Sequence, residues 1–238
     1  MDILYIVIPA YNEAENIAAC VNDWYPIVER WGAEGSRLVV IDDGSKDDTY
    51  SLLCAMAKDR PLLLPLTKKN GGHGSAVLYG YQYAITSGAD WIFQTDSDGQ
   101  TNPDEFEAFW QERNQYDAVI GNRVRRGDGA KRALVEKVVC LLLRVYFGVK
   151  VPDANAPFRL MRTALVAKYL GRLPQDFNIP YIMLTAYFAR YQEKIKFMPI
   201  TFHPRTKGKN SLNLRKIAKI GWQAMKDFGK LRSQMKKQ

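Results

Sequence analysis

Two carboxylates stand two positions apart in the segment Asp96-Ser97-Asp98, directly after the apolar run 91–95. Alternate side chains of an extended segment point the same way, so both carboxylates can reach one cation. Hard divalent ions such as Mg²⁺ and Mn²⁺ prefer oxygen ligands and keep open positions for phosphates. Gln100 could add a carbonyl oxygen. The spacing predicts a divalent-metal site on Asp96, Asp98 and Gln100, although such a triplet alone is also compatible with a solvated loop.

Other polar residues also occur just where apolar runs end. They are Pro9, Tyr11 and Glu13 after residues 3–8, Asp42 and Asp43 after residues 37–41, and Asp96 and Asp98 after residues 91–95. Open α/β sheets bind ligands in the crevice outside the carboxyl ends of their parallel strands. The placement therefore predicts that these side chains share one pocket.

The elements that would position them alternate between strand and helix. Buried strand patterns occur at 3–8, 37–41, 62–66 and 91–95, and helix patterns occur at 12–30, 49–59 and 75–87. This alternation indicates βαβ units and an α/β fold with a doubly wound sheet flanked by helices. Further on we expect helices at 105–116, 130–149, 163–170 and 180–191, strands at 117–121, 158–161, 195–198 and 200–202, and a basic turn at 122–127.

The net charge of +9 is concentrated at the C-terminal end of the chain. Residues 205–238 contain eleven Lys or Arg residues and one acid, Asp227, amid apolar residues at helical spacing. Such a segment is either a solvated tail or a patch for phosphates, anionic lipid or nucleic acid. We expect no nucleic-acid partner, because the chain lacks zinc-finger spacing, RNP-like aromatics and a recognisable helix-turn-helix.

Four segments occur in a characteristic order: IPAYNEAENI, VVIDDGSKDDT, KKNGGHGSAVLYGYQYA and TDSDGQ. Together they resemble the family 2 glycosyltransferases, above all the dolichol- and polyprenol-phosphate mannose or glucose synthases. The resemblance is strongest over the first hundred residues and continues through GNRVRRGDG, PDANAPFRLM and HPRTKGKNS. It implies a glycosyltransferase A fold, a nucleotide-diphosphate sugar donor, a Mg²⁺ or Mn²⁺ cofactor and direct transfer with inversion.

The resemblance also implies roles for individual residues. It places Pro9, Ala10, Tyr11, Glu13, Asp42, Asp43, Asn70, Gly71, Asp96, Ser97, Arg205, Lys207 and Lys209 at the nucleotide sugar. Asp96, Asp98 and Gln100 would hold the metal, and Asp98 and Arg205 would be catalytic through the leaving diphosphate. It further implies a catalytic domain at 1–210, with its nucleotide-binding half at 1–100 and its acceptor half at 101–210, and a basic amphipathic helix at 211–238.

The acceptor is less well defined. Arg123 and Arg132 match positions that face the acceptor phosphate in lipid-phosphate transferases, and guanidinium groups suit phosphate. Asp153 is the candidate general base for a hydroxyl acceptor, whereas an ionised lipid phosphate needs none. Glu136 stands where that branch has a Ser, and its negative charge would repel an anionic acceptor. Transfer to a hydroxyl of a glycan, glycolipid or protein therefore stays open, as does nucleotide-sugar binding without turnover.

No apolar run is long enough to cross a bilayer. The longest, 138–149, is interrupted by Arg144, and about twenty residues are needed. The sequence enters a strand pattern at once, so we expect no signal peptide. We expect a cytoplasmic protein in which helix 131–149 and the basic tail either face the core or make peripheral contact with an anionic membrane.

Overall fold

Seven strands form one mixed sheet, in which β-branched and aliphatic residues are buried on both faces. The computed structural model describes residues 2–126, 130–174, 177–205, 225–226, 228–229 and 232. Its strands are β1 (Leu4–Ala10), β2 (Arg37–Asp42), β3 (Leu63–Thr67), β4 (Trp91–Thr95), β5 (Ala118–Arg126), β6 (Phe158–Arg162) and β7 (Ile195–Phe202). Their order is β3-β2-β1-β4-β6-β5-β7. The predicted doubly wound mixed sheet is confirmed.

The register brings the strand tips to one edge. Strands β3, β2, β1 and β4 run parallel, with Ala10 opposite Asp42 and Asp42 opposite Thr67. Strand β6 is antiparallel to both β4 and β5, and β5 is parallel to β7. The loops after β1, β2 and β4 therefore leave the sheet side by side, which is the arrangement that the polar residues require.

Helices cover both faces of the sheet. They are α1 (Ile17–Trp31), α2 (Thr49–Ala57), α3 (His73–Thr86), α4 (Phe106–Gln111), α5 (Ala130–Phe147), α6 (Thr163–Leu170) and α7 (Pro180–Arg190). One core lies between the sheet and α3, α5, α6 and α7, and the other between the sheet and α1, α2 and α4. Gly80 lets α3 lie close to the sheet, because a Cβ there would overlap Val7 and press on Ile41.

Three predicted boundaries were wrong. Helix α1 begins at Ile17 instead of residue 12, because Asn12 has φ 53° and its side chain accepts a hydrogen bond from Lys46 N at 2.8 Å. The basic segment after Gly121 continues β5, paired with β7 as far as Arg126. The two strands predicted at 195–198 and 200–202 form one continuous strand, β7. Its internal Pro199 is tolerated because β7 lies at the edge of the sheet, where a missing N–H costs little.

Most of the segment predicted as a basic tail helix, 211–238, lies outside the described residues. Met225, Lys226, Phe228, Gly229 and Arg232 are helical. Phe228 is 1% exposed and its ring packs edge-on against Phe147 at 5.4 Å and Tyr146 at 6.0 Å. This part of the tail therefore packs on the end of α5.

Candidate active site

The loop after β2 is built around two buried aspartates. Asp42 accepts hydrogen bonds from Ser45 N at 3.1 Å and from Thr67 Oγ1 at 2.8 Å. Asp43 accepts from Lys68 Nζ at 2.8 Å, from Gly71 N at 3.0 Å and from Gly72 N at 2.7 Å. These bonds tie the tips of β2 and β3 together. Lys68 is a contributor that the sequence analysis missed.

Asn70 and Ala10 complete the same corner through backbone contacts. Asn70 Nδ2 donates to Asp43 O at 2.8 Å, and Asp43 N donates to Ala10 O at 2.9 Å. The predicted nucleotide residues of the first three strand tips are thereby brought into one neighbourhood. Tyr11 stands beside them with 42% of its surface exposed, so its ring is available to a ligand.

Glu13 links this corner to the far end of the described chain. It is buried, its Oε2 accepts from Asn16 Nδ2 at 2.6 Å, and its Oε1 accepts from the Arg205 guanidinium. Arg205 follows β7, so this contact brings together two residues that the sequence analysis assigned to the donor. Lys207 and Lys209, predicted to stand beside Arg205, lie outside the described residues.

Asp96 and Asp98 are half-buried at the tip of β4, and Ser97 between them is buried. Burial raises the pKa of Asp96 to about 7, against the opposing charge of Arg123. Burial and the neighbouring Asp96 charge raise the pKa of Asp98 to about 6. The nearby arginines therefore do not balance burial and the repulsion between the two carboxylates, and a bound cation would supply the missing positive charge.

The third predicted metal ligand, Gln100, lies close by. Its backbone N–H donates to Asp98 Oδ1 at 3.2 Å, and its Nε2 donates to His203 O at 2.8 Å. Among the residues described, no three His, Cys, Asp or Glu side chains are arranged to hold a metal ion. The site still fits Mg²⁺ or Mn²⁺, because such ions are commonly held by one or two carboxylates with substrate phosphates as the remaining ligands.

Both histidines lie beside the Asp96–Asp98 segment, although they are far apart in sequence. His73 Nε2 is 3.7 Å from Asp96 Oδ1, and His203 N donates to Gln100 O at 2.8 Å. Asp43 Oδ2 accepts from Gly72 N at 2.7 Å, directly before His73 in the chain. The tips of β2 and β4 therefore meet at the start of α3. The sequence analysis did not assign a role to His73, and its place in the segment GGHGS was the only local signal.

Arg123 and Asp153, two residues predicted to act on the acceptor, form a second cluster with Glu136 and line a cavity of about 260 Å³. The Arg123 guanidinium contacts Asp153 at 2.7 and 2.9 Å and Glu136 at 3.0 Å. Burial, followed by the Asp153 charge, raises the pKa of Glu136, whereas hydrogen bonds from Arg123 outweigh burial and lower the pKa of Asp153. Arg132 is half-buried in the first turn of α5.

A family model described as Glycosyl transferase family 2 matches residues 5–170. Among curated proteins, an undecaprenyl-phosphate 4-deoxy-4-formamido-L-arabinose transferase from Pectobacterium atrosepticum is 29% identical over 188 residues, which cover 78% of this chain and 56% of that protein. The protein of the same name from Pseudomonas aeruginosa is 28% identical over 199 residues, covering 82% and 57%. The chain thus spans little more than half the length of these relatives.

Solved structures show the same fold at low sequence identity. Glucosyl-3-phosphoglycerate synthase from Mycobacterium tuberculosis, in complex with phosphoglyceric acid, has a TM-score of 0.69 at 19% identity, covering 98% of this chain and 80% of that one. Its complex with Mn²⁺, UDP-glucose and glycerol 3-phosphate has a TM-score of 0.66 at 19% identity, covering 94% and 78%. S. aureus TarS in complex with UDP-GlcNAc has a TM-score of 0.59 at 16% identity, covering 89% and 62%.

Proposed function

Since this chain belongs to glycosyl transferase family 2, we propose that it transfers a sugar from a nucleotide-diphosphate donor to the phosphate of a polyprenyl lipid. The observation that carries the proposal is the meeting of the strand tips: Glu13 pairs with Arg205, Asp43 accepts from Gly72 N at 2.7 Å, and the adjacent His73 lies 3.7 Å from Asp96. The curated relatives, named as undecaprenyl-phosphate sugar transferases, support this class of acceptor.

In the proposed reaction an acceptor phosphate oxygen attacks the anomeric carbon of the sugar. The bond from that carbon to the donor diphosphate breaks, and the nucleoside diphosphate leaves with the bonding electrons. Attack from the face opposite the leaving group gives inversion. The main demand on the protein is to stabilise negative charge as it grows on the diphosphate.

The residues at the strand tips would bind different parts of the donor. Asp96 and Asp98, with Gln100, would hold a divalent cation, which when bound supplies positive charge to the diphosphate. Arg205 would bind the diphosphate from the opposite side, with Lys207 and Lys209 beside it. The corner formed by residues 9–13, Asp42, Asp43, Asn70 and Gly71 would bind the nucleoside.

The state of Asp153 favours a phosphate acceptor over a hydroxyl. A hydroxyl must lose a proton, and a general base works best with a pKa near the working pH. Asp153 is ion-paired with Arg123 at 2.7 Å and its pKa is lowered, which makes it a weak base. An ionised lipid phosphate requires no base, and Arg123 and Arg132 would attract it.

We also propose that helix α5 brings the protein to an anionic membrane surface. Leu134, Val138, Leu141 and Val145 form an exposed stripe along one side of α5, each between 48% and 63% exposed. Exposed Lys137 and Arg144 lie on the same helix, an arrangement typical of helices that lie in the interface of anionic bilayers. Within the described part of the chain, no helix is long and apolar enough to span a bilayer.

The donor half of the proposal is tested by thermal shift. Sugars carried on UDP, GDP, CDP and dTDP are added with and without Mn²⁺, since a ligand that binds only the folded state raises the Tm. We expect one nucleotide to stabilise strongly only with metal and Asp98→Ala to abolish the gain. Equal shifts in the mutant would contradict the assigned site.

The acceptor half is tested by supplying the labelled donor with undecaprenyl phosphate or with soluble glycan acceptors. Label that moves into the organic phase, and is released by mild acid as expected for a sugar phosphate, supports the lipid acceptor. Transfer to the glycan alone would favour the hydroxyl alternative. Metal-dependent donor binding without transfer to any acceptor or to water would favour a non-catalytic binding protein.

A further inference from the structure

The Asp96 carboxylate is contacted by groups that no step above uses. Gln94 Nε2 donates to Asp96 Oδ1 at 3.3 Å, and His73 Nε2 lies 3.7 Å from the same oxygen. The Tyr181 hydroxyl lies 2.8 Å from the same His73 Nε2 and hydrogen-bonds to it. One imidazole nitrogen therefore contacts both the Tyr181 hydroxyl and the Asp96 carboxylate.

Tyr181 is itself fixed by a buried arginine. Arg159 is fully buried, its guanidinium lies 4.9 Å from the Tyr181 ring centre, and its Nη1 donates to Tyr181 O at 3.1 Å. Its remaining donors reach Ala154 O and Ala156 O, each at 3.2 Å. Within the described residues Arg159 forms no ion pair with a carboxylate, and its guanidinium instead contacts carbonyl oxygens, the Thr185 hydroxyl at 3.4 Å and the Tyr181 ring. These contacts restrict rotation of the Tyr181 side chain.

The two elements that carry His73 and Tyr181 are locked together. His73 is the first residue of α3, and Tyr181 lies in the first turn of α7. A Cβ on Gly74 would overlap the backbone oxygen of Phe177, so the segment that leads into α7 lies directly on the start of α3. The imidazole also packs edge-on against the phenol ring, with centroids 5.5 Å apart. The pair is therefore pre-organised before any ligand arrives.

We propose that Tyr181 is a positioning residue: its hydroxyl, backed by Arg159, holds the His73 imidazole against the Asp96 carboxylate, and so fixes the orientation in which Asp96 binds the donor's cation. The inference rests on the proposed function, because it takes Asp96 as a ligand of that cation. Groups that hydrogen-bond to a metal ligand fix its orientation, and losing one typically costs about 10–100-fold in metal affinity.

The test is a titration of metal-free protein with Mn²⁺ alone, in which free Mn²⁺ is followed by electron paramagnetic resonance. Tyr181→Phe removes only the hydroxyl. Its matched control is Tyr187→Phe, a buried tyrosine on the same helix whose ring stacks on Tyr169 at 5.4 Å. We expect the Kd for Mn²⁺ to rise about 10-fold or more in Tyr181→Phe and to stay at the wild-type value in Tyr187→Phe.

A second variant keeps the test independent of folding. The His73 side chain is 49% exposed, so His73→Ala should fold, and it should raise the Kd for Mn²⁺ in the same direction. Wild-type affinity in Tyr181→Phe, or an equal loss in both tyrosine variants, would overturn the positioning role while leaving the proposed function intact. A wild-type protein that binds no Mn²⁺ would instead remove the metal site and this inference with it.

Discussion

The Arg205 guanidinium hydrogen-bonds to the carboxylate of Glu13, although the two residues are 192 positions apart. This contact joins the chain after β7 to the loop after β1. Both charges act on Asp98, whose pKa Arg205 lowers and Glu13 raises. Glu13 thus holds the Arg205 guanidinium in place at the site proposed for the donor diphosphate, before the donor binds.

Replacing Arg205 should slow transfer more than it weakens donor binding. Arg205→Ala removes a fixed positive group from the leaving diphosphate, and loss of one such preorganised donor typically lowers kcat by about 10²–10³-fold. Arg205→Lys should retain part of the rate, because the charge remains but the planar fork is lost. Steady-state kinetics measure both. Arg30→Ala, at an exposed arginine paired with Glu107 at 3.7 Å, is the control, and equal kcat in the two alanine variants would contradict the role.

The metal-free protein should lose stability as the pH rises. Burial raises the pKa of Asp96 to about 7, and burial together with Asp96 raises that of Asp98 to about 6, both above the ordinary 3.8. Protonated, these groups favour the folded state; the contribution is full below about pH 4 and is lost as the pH passes 6–7. In EDTA we expect the Tm to fall between about pH 5 and pH 8, and to fall by a few degrees less in Asp98→Asn.

Mn²⁺ provides the control for the pH prediction. At about pH 8 the ionised pair should bind the cation, so added Mn²⁺ should raise the Tm of the wild type and leave Asp98→Asn almost unchanged. Parallel Tm curves for the two proteins in EDTA would show that the pair does not titrate as described.

The sequence was sufficient to predict the architecture of the first hundred residues, because local patterns carry that information. Runs such as 37–41 are apolar and β-branched, and parallel strands buried on both faces need no other signal. The shared edge of Asp43 and Asp98 followed from the rule for strand tips in open sheets. The start of α1 was missed, since Asn12 adopts a left-handed conformation that an apolar period does not reveal.

The contacts that depend on distant segments were not predictable from pattern. Tyr181 hydrogen-bonds to His73 although the two residues are 108 positions apart, and neither local sequence contains a motif that predicts the contact. The Arg123–Asp153 ion pair joins two segments that were assigned separate roles, with Arg123 facing the acceptor and Asp153 as a base. Such partners are set by how α5, α7 and the strands pack, which one sequence does not specify.

Gly80 offers a test of the packing of α3 on the sheet. A Cβ at this position would overlap Val7 and lie 2.8 Å from Ile41 Cδ1, so Gly80→Ala should overpack the core and destabilise the fold by about 1–3 kcal/mol. The expected fall in Tm is about 2–4 °C per kcal/mol. Gly171→Ala is the matched control, because a Cβ there meets nothing within 4 Å. A Tm of Gly80→Ala equal to that of the control would mean that the sheet accommodates the methyl group.

Glu136 should weaken binding of an anionic acceptor. Its carboxylate contacts the Arg123 guanidinium at 3.0 Å and would compete with an acceptor phosphate for that group. Glu136→Gln removes the charge, keeps an oxygen for Ala154 N, and leaves Asp153 to balance Arg123. We expect the KM for undecaprenyl phosphate to fall several-fold with the donor KM unchanged. Glu107→Gln, on α4, is the control; an unchanged or higher acceptor KM in Glu136→Gln would refute the competition.

The exposed stripe on α5 should govern attachment to membranes. Leu134 and Leu141 are 63% and 58% exposed, and burying a leucine side chain in an apolar phase contributes about 1.5–3 kcal/mol. The double change Leu134→Ser/Leu141→Ser should therefore weaken co-sedimentation with phosphatidylglycerol-containing vesicles by more than about tenfold. Leu52→Ser removes an exposed leucine from α2 and should have no effect.

The salt dependence of vesicle binding gives a second test of the same stripe. Because exposed Lys137 and Arg144 add electrostatic attraction, added salt should release the double variant from the vesicles before the wild type. Equal vesicle binding by the wild type and the double variant would show that the stripe does not drive attachment, and equal salt sensitivity would show that the leucines do not enter the bilayer.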